Sequence, residues 1–274
     1  MHSTSASSPR LVGEPLEVEI RPLASVRDFR ACVDLQNAVW GPAFSDCVPA
    51  SLLQAAMHVG GIALGASTSD GTLAGFVFGL TGLHDGEPAH WSHMLAVRRE
   101  ARDLGVGRTL KEAQRAELTR LGIRKMSWTF DPLVARNAHL NFNRLGARVV
   151  DYVPNMYGAA MSPLHGTLET DRLVVSCDTA RQVSWSRDSP EALCGPLART
   201  LRDSGSDGLP PWIRIEIPTD IQLVMADSPA TAAEWRTSVR EQFQWAFAHA
   251  YEVASVIRDP ATSRVFYALV RNQR

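Results

Sequence analysis

The spacing of apolar residues predicts alternating strands and helices over the first 160 residues of the chain. Runs that alternate between polar and apolar residues indicate strands, and apolar residues three or four positions apart indicate helices. We predict strands at residues 17–23, 61–67, 73–80, 90–97, 125–130 and 148–157, and helices at residues 25–39, 50–58, 108–121 and 135–145. Early strands can pair as hairpins, whereas strand–helix–strand crossovers require parallel neighbours. The predicted fold class is therefore α/β of the α+β type, with a mixed, mostly antiparallel sheet and helices on both faces.

The remaining residues predict a smaller unit. Strands are expected at residues 171–177 and 212–217, then a helix at residues 230–250 that Ser228 caps, then a hairpin of residues 251–257 and 265–270. This strand–helix–hairpin unit resembles half of the first part. Ser, Asp, Gly and Pro clusters predict an irregular surface excursion at residues 178–211. The predicted division is a flexible tail at 1–16, a domain at 17–160 and a C-terminal extension at 161–274.

Composition narrows the functional classes. A formal net charge of −1 argues against a general nucleic-acid-binding protein. The four cysteines have neither disulfide-framework nor metal-site spacing, and we expect no metal. No apolar run approaches the roughly 18 residues that cross a bilayer, and residues 2–9 do not resemble a signal peptide. We therefore expect a cytoplasmic protein with neither nucleic-acid nor membrane partners.

The most informative stretch is a glycine loop between a predicted strand and a predicted helix. Residues 102–107 read Arg-Asp-Leu-Gly-Val-Gly, and residues 98–125 contain nine basic and four acidic side chains. Free amides and the positive end of a helix dipole bind anions there, and glycine lets phosphate approach the backbone. A dinucleotide loop would need a third glycine where Leu110 stands, and the Gly-Lys-Ser/Thr of a kinase-type loop is absent. A plain turn stays the alternative.

This loop resembles the Arg/Gln-x-x-Gly-x-Gly/Ala signature of the GNAT superfamily of N-acyltransferases, and the order of elements is similar to that fold. The resemblance implies an acyl-coenzyme A co-substrate whose pantetheine arm enters where a strand splays from its neighbour. It also implies a set of coenzyme A-binding residues: Leu95, Ala96, Val97, Arg102, Asp103, Leu104, Gly105, Val106, Gly107, Arg108 and Asn137.

Residues 128–133, 137–141, 144–146 and 170–173 resemble a GNAT subgroup with an extra C-terminal region. Some relatives of that kind are N-succinyltransferases acting on amino acids. The implied function is transfer of an acetyl or succinyl group from coenzyme A to the amine of a small molecule, in a protein that we expect to be a homodimer. Two alternatives stay open: a non-catalytic protein that senses acyl-coenzyme A or a metabolite, and a scaffold that binds neither.

Acyl transfer to an amine needs a base, because free amines are mostly protonated at neutral pH. His93, beside the strand that should splay, is the first candidate base; Ser92 and Asp131 are weaker candidates. The oxyanion needs a donor, most simply a main-chain N–H near Leu95.

An acid would assist departure of the thiolate. GNAT proteins often place a tyrosine where this chain has Phe142, so Tyr152 and Tyr157 are the candidate substitutes. His139 is expected to be structural, whereas Asn141 could bind a substrate or face solvent. The aromatic residues of the late helix (Trp235, Phe243, Trp245 and Phe247) are expected to pack in a core, with an acyl pocket as the alternative.

Overall fold

The computed structural model describes residues 17–42, 44–158, 168–181, 190–204 and 208–272. The predicted tail at residues 1–16 lies outside these ranges. The strands are β1 Glu19–Pro22, β2 Ile62–Ser67, β3 Leu73–His84, β4 Glu87–Val97, β5 Lys125–Phe130, β6 Arg148–Val153, β7 Arg172–Asp178, β8 Trp212–Ile217, β9 Tyr251–Arg258 and β10 Val265–Arg271. The helices are α1 Val26–Trp40, α2 Ala50–His58, α3 Val106–Arg120, α4 Ala135–His139, α5 Pro190–Cys194, α6 Ala198–Ser204, α7 Ile221–Asp227 and α8 Pro229–Ala248.

Seven strands form the larger sheet in the order β1-β2-β3-β4-β5-β7-β6. Only β4 and β5 pair in parallel, since α3 crosses between them; the other neighbours are antiparallel. The predicted fold class is therefore confirmed. One assignment was wrong: β7 lies between β5 and β6, although we had placed its residues in the C-terminal extension. The boundary drawn at residue 160 thus cuts through the larger sheet.

Helices cover both faces of this sheet. On one face, α1 and α2 pack over Phe76, Phe78 and Ala96 of the central strands. On the other face, α3 packs over residues that include Leu64 and Val77. Ser25 caps α1 through a reciprocal pair of hydrogen bonds with Asp28, which explains why the predicted start of this helix is accurate to one residue.

The hairpin of β3 and β4 is longer than predicted. Its turn is Asp85-Gly86, with φ angles of 54° and 80°, and the ladder continues to the pair His84–Glu87. A two-residue turn with both φ angles positive matches the twist of antiparallel strands. Because Asp, Gly and Pro there were taken as a loop, the prediction ended β3 at Leu80 and began β4 at His90.

The C-terminal unit contains a three-stranded sheet in the order β8-β10-β9, with α8 packed against it. The prediction of residues 178–211 as irregular was wrong in part, because the short helices α5 and α6, of five and seven residues, form there. Residues 182–189 and 205–207 of that excursion lie outside the described ranges. The short helix α7, which Asp220 caps, was not predicted.

Two predicted elements differ in detail. The helix of residues 135–145 is α4 followed by a π-helical turn, Leu140–Arg144. The strand predicted to reach residue 157 ends at Val153, since Asn155 adopts a φ of 43° and the chain turns. Within the described ranges, no helix is long and apolar enough to cross a membrane.

Candidate active site

The central feature of the site is a β-bulge at His93. On β4, Met94 lies opposite Phe78 and Ser92 lies opposite Gly79, so His93 is an extra residue without a partner position on β3. A bulge bends its strand and increases the local twist. His93 therefore marks the point at which β4 changes direction.

Beyond the bulge, β4 and β5 separate. Their parallel ladder contains three pairs, Ala89–Lys125, His90–Met126 and Trp91–Ser127. Residues 92–97 of β4 and 128–130 of β5 continue without pairing with each other. We call the gap between these two stretches the β4–β5 seam, and its closed end at Trp91–Ser127 the apex. One edge of β4 therefore has main-chain polar groups available to a ligand.

The seam opens toward the glycine loop at the N-terminus of α3. Gly105 occupies the N-cap position with φ 83°, without a side-chain cap, and Asp103 also has a positive φ of 61°. No acceptor in the described ranges receives a hydrogen bond from the amides of residues 103–108. An ideal Cβ on Gly107 would lie 3.6 Å from the side chains of Leu95 and Val97, so the loop lies directly over the end of β4. The amides required for anion binding are not occupied by the protein itself.

Arginine side chains surround this loop. Arg102 donates a hydrogen bond to the carbonyl of Val97, and burial, then the charges of Arg136 and Arg99, lower its pKa. Arg136 belongs to the first turn of α4, so two helices contribute cations to one place. Arg108 pairs with Glu112 at 2.7 Å on the outer face of α3. Clustered cations beside free amides form an environment that favours a multiply charged anion.

His93 lies on the face of the sheet that α1 and α2 cover. Its ring makes an edge contact with Phe78, with 6.4 Å between ring centroids, and the side chain is exposed to solvent. Desolvation by the surrounding protein lowers its pKa from 6.5, while the nearby charge of Asp46, in the α1–α2 loop, opposes that shift. A lowered pKa keeps the imidazole neutral at pH 7, which is the form that accepts a proton.

The two candidate tyrosines occupy different places. The hydroxyl of Tyr157 lies 3.0 Å from Thr129 Oγ1, on the part of β5 that borders the seam. Since Trp128 and Phe130 point toward α3 and α4, alternation puts Thr129 on the same face as His93. Tyr152 is buried on β6 and donates a 2.6 Å hydrogen bond to Asp171. The structure thus places Tyr152 away from the seam, because β7 and β5 lie between them.

The remaining candidates have structural contacts. Asp131 is buried and accepts two hydrogen bonds from Arg236, at 2.9 and 2.7 Å. Asn141 is buried and accepts a hydrogen bond from Trp128 Nε1, so the interpretation that it faces solvent was wrong. Phe142 packs edge-on between Phe130 and Tyr267. Asn137 follows Arg136 on α4 and is half-buried.

A buried polar chain under the seam was missed by the sequence analysis. Lys111 donates to Ser92 Oγ at 2.8 Å, Ser92 donates to Gln114 Oε1 at 2.7 Å, and Gln114 Nε2 donates to His90 Nε2 at 3.0 Å. The signal was present: Lys111 and Gln114 share a helix face with Leu118 at spacings of three and four residues. They were not recognised because polar residues on an amphipathic helix are usually solvated.

Comparison with solved structures gives consistent matches over about three fifths of the chain. A GNAT-family acetyltransferase from Streptococcus pneumoniae matches with a TM-score of 0.47 and 17% identity, covering 58% of this chain and 98% of its own. The ribosomal-protein-S18-alanine N-acetyltransferase from Escherichia coli matches with a TM-score of 0.46 and 16% identity, over 63% of this chain and 99% of its own.

In fold, the chain is similar to GNAT acetyltransferases. A putative acetyltransferase from Salmonella typhimurium, solved with acetyl-CoA, matches with a TM-score of 0.46 and 19% identity, over 63% of this chain and 99% of its own. No family model and no curated protein matches the sequence. At these identities and TM-scores the matches carry no conclusion about function, and the chemistry of this chain has to be argued from its own residues.

Proposed function

We propose that this protein is an acyl-coenzyme A-dependent N-acyltransferase that acylates the amine of a small molecule, such as an amino acid. The observation that carries the proposal is the β4–β5 seam, which separates at the bulge and opens onto unoccupied amides. A pantetheine arm can hydrogen-bond to an unpaired strand edge as an additional strand would. The diphosphate would then lie at the N-terminus of α3, within reach of Arg102 and Arg136.

Each step of the transfer has a residue on the same face of the sheet. His93, kept neutral by its lowered pKa, would take the proton from the incoming amine. A main-chain N–H of β4 near Leu95 would donate to the carbonyl oxygen as it gains negative charge. Tyr157, next to Thr129, would protonate the departing thiolate. Because a thiol pKa is near 8.5, this acid assists the step without being indispensable.

The loop over this face would select the acceptor. Asp46, in the α1–α2 connection, lies close enough to His93 for its charge to influence the pKa of His93. Connections carried by a rigid sheet usually determine specificity. We therefore assign amine recognition to this connection and to the turn that follows β6. The donor is an acetyl or succinyl thioester.

Binding and turnover can be tested in sequence. In a thermal-shift assay, coenzyme A at a hundredfold excess over its dissociation constant should stabilise the protein by about 2.7 kcal/mol. Acetyl- and succinyl-coenzyme A should then release free thiol over a panel of amino acids, polyamines and aminoglycosides. Absence of a melting shift with all three ligands would refute the proposal.

A second function is favoured by one observation. Phe142 has no hydroxyl and is buried among aromatic rings, so the position that often holds the acid in GNAT proteins cannot supply a proton here. A non-catalytic protein that senses acyl-coenzyme A would bind the cofactor and release no thiol with any amine. Thiol release by the wild type separates the two functions, and in the enzyme His93→Gln should abolish that release while coenzyme A binding stays unchanged.

A further inference from the structure

Lys111 is a buried cation that the proposed function does not use. Its residue is 3% exposed, on the face of α3 that packs against the sheet. The sequence contains 28 lysines and arginines, of which only Lys111 and Lys125 are lysines. Buried charges in proteins are normally paired with an opposite charge. Within the described ranges, no carboxylate lies within ion-pair distance of Lys111 Nζ.

The amine of Lys111 lies at the apex of the seam. Its Nζ is 2.8 Å from Ser92 Oγ and 4.1 Å from the centroid of the Trp128 ring. Ser92 is the first residue of β4 after its last pair with β5, and Trp128 is the first residue of β5 after that pair. The amine therefore lies on the α3 face of the sheet, over the point where the two strands separate. A group that ran along the seam from the glycine loop would end beside it.

The groups that face Lys111 do not neutralise it. Ser92 already donates its proton to Gln114, so it only accepts from Lys111. Burial and the charge of Lys111 lower the pKa of His90 on β4 to about 4, so its ring is neutral at pH 7. Cys177 on β7 is buried, and burial raises its thiol pKa. Burial in turn lowers the pKa of Lys111 to about 7. At neutral pH the amine is therefore only partly protonated, and the described residues supply no counter-ion for its ammonium form.

We propose that Lys111 is the specificity residue for the acyl group, and that the preferred donor is a coenzyme A thioester whose acyl chain ends in a carboxylate. This inference rests on the proposed function, because the pantetheine arm in the seam directs the acyl chain to the apex. The carboxylate would pair with the Lys111 ammonium and remove the cost of the buried charge. An arginine could not serve in the same way, since it remains charged when the site is empty.

The first experiment compares two thioesters with four-carbon acyl groups, one with and one without a terminal carboxylate. By isothermal titration calorimetry, succinyl-coenzyme A should bind at least about tenfold more tightly than butyryl-coenzyme A, as expected for a charged hydrogen bond. In Lys111→Met this preference should disappear, while the affinity for free coenzyme A stays unchanged. In Lys125→Met, the matched control at the other lysine, the preference should persist. Equal affinities in the wild type would overturn the inference.

The second experiment observes the amine directly. Protein labelled with ¹³C at the lysine Cε position gives two side-chain signals, because the sequence has two lysines. In the free protein, the Lys111 signal should titrate near pH 7. Succinyl-coenzyme A should raise that pKa by more than one pH unit, since an opposite charge favours the ammonium, and butyryl-coenzyme A should not. The Lys125 signal should not respond.

These outcomes distinguish the inference from the proposed function. If free coenzyme A binds but neither the affinity nor the Lys111 signal depends on the carboxylate, the inference is wrong and the proposed function stands. If free coenzyme A does not bind at all, both are wrong.

Discussion

Two glycines in this chain share one φ angle and lie in different places. Gly105 at the start of α3 and Gly71 in the β2–β3 turn both have φ 83°, and neither would place a Cβ within 4 Å of another atom. Alanine at either position has to adopt the left-handed region, which costs on the order of 1–2 kcal/mol. The pair therefore separates backbone strain from ligand binding.

We predict that Gly105→Ala weakens coenzyme A binding about tenfold, because strain in the loop moves the amides that would hold the diphosphate. Gly71→Ala should lower the free energy of unfolding by a similar amount and leave binding unchanged. Urea unfolding measures the free energy of unfolding, and calorimetric titration measures the affinity for coenzyme A. If Gly105→Ala binds as tightly as Gly71→Ala, the loop does not hold the ligand.

At this scale, the sequence predicted features that depend on local residue types. The glycine loop was identified because Gly105 and Gly107 follow an apolar strand and precede an amphipathic helix. Lys111 was missed because its burial depends on Ser92 and Trp128, which reach it only after β4 and β5 have paired. Asp131 was ambiguous for the same reason, since its partner Arg236 is 105 positions away.

At the scale of elements, two arginines of α8 connect the C-terminal unit to the end of β5 and the start of β7. Arg236 of α8 is 2% exposed and pairs with Asp131, which directly follows β5. Arg240, one turn later, pairs with Asp171 at the start of β7. Burial disfavours ionisation of Asp131, but the charge and hydrogen bonds of Arg236 outweigh it and lower the Asp131 pKa below 3.8.

We predict that Arg236→Met lowers the free energy of unfolding at pH 7 by about 3–5 kcal/mol, because the buried carboxylate loses both hydrogen bonds. In the wild type, the lowered pKa of Asp131 stabilises the folded protein at pH values above the pKa of this carboxyl group in the unfolded chain. That stabilisation is lost as pH falls through its pKa in the folded protein. In the variant, burial raises the pKa of Asp131, so protonation relieves the loss as pH falls. The difference between the two proteins should therefore shrink from pH 7 to pH 4.

The control is Arg202→Met, which removes an exposed ion pair with Glu241 and should cost less than about 1 kcal/mol. Urea denaturation at pH 7, 5.5 and 4 measures all three proteins. If the difference in the free energy of unfolding between the wild type and Arg236→Met is constant with pH, the effect of the substitution comes from packing alone.

The elements also show where pattern analysis fails. Each strand of the larger sheet was recognised, yet β7 was assigned to the wrong unit. Alternation of apolar residues in Arg172–Asp178 predicts a strand and contains no information about its neighbours. Its position between β5 and β6 is set by pairs such as Phe130–Leu173 and Val149–Val175. Strand order is a long-range property that local spacing does not encode.

On the scale of the whole molecule, the two sheets share one hydrophobic core. The buried cluster that contains Val77 and Leu110 of the larger sheet and α3 continues to Phe243 and Leu269 of the C-terminal unit. Tyr267 of β10 lies at the junction: its ring contacts Phe142 and Phe243, and its hydroxyl donates to the carbonyl of Pro132 at 2.8 Å. Of the predicted aromatic stripe, Phe243 is in this core.

We predict that the protein unfolds in a single transition, because one buried cluster extends from the larger sheet into the C-terminal unit. Unfolding followed by tryptophan fluorescence and by far-ultraviolet circular dichroism should give coincident curves. Tyr267→Phe should shift the midpoints of both curves together. The free energy of unfolding should fall by about 1–3 kcal/mol, since the buried carbonyl of Pro132 loses its hydrogen-bond donor. Two separated transitions would show that the sheets are independent domains.

The position of Tyr267 has a consequence for synthesis of the protein on the ribosome. Its partner Pro132 is made 135 residues earlier, and β6 has no neighbour in the sheet until β7 has been made. In the nascent chain the edge of β5 therefore stays unpaired until β7 has left the exit tunnel, and Phe142 lacks its contact with Tyr267 until β10 has left it. Such intermediates aggregate and recruit chaperones. We therefore expect the yield of folded protein to depend on chaperone supply and on the rate of translation from β7 to β10.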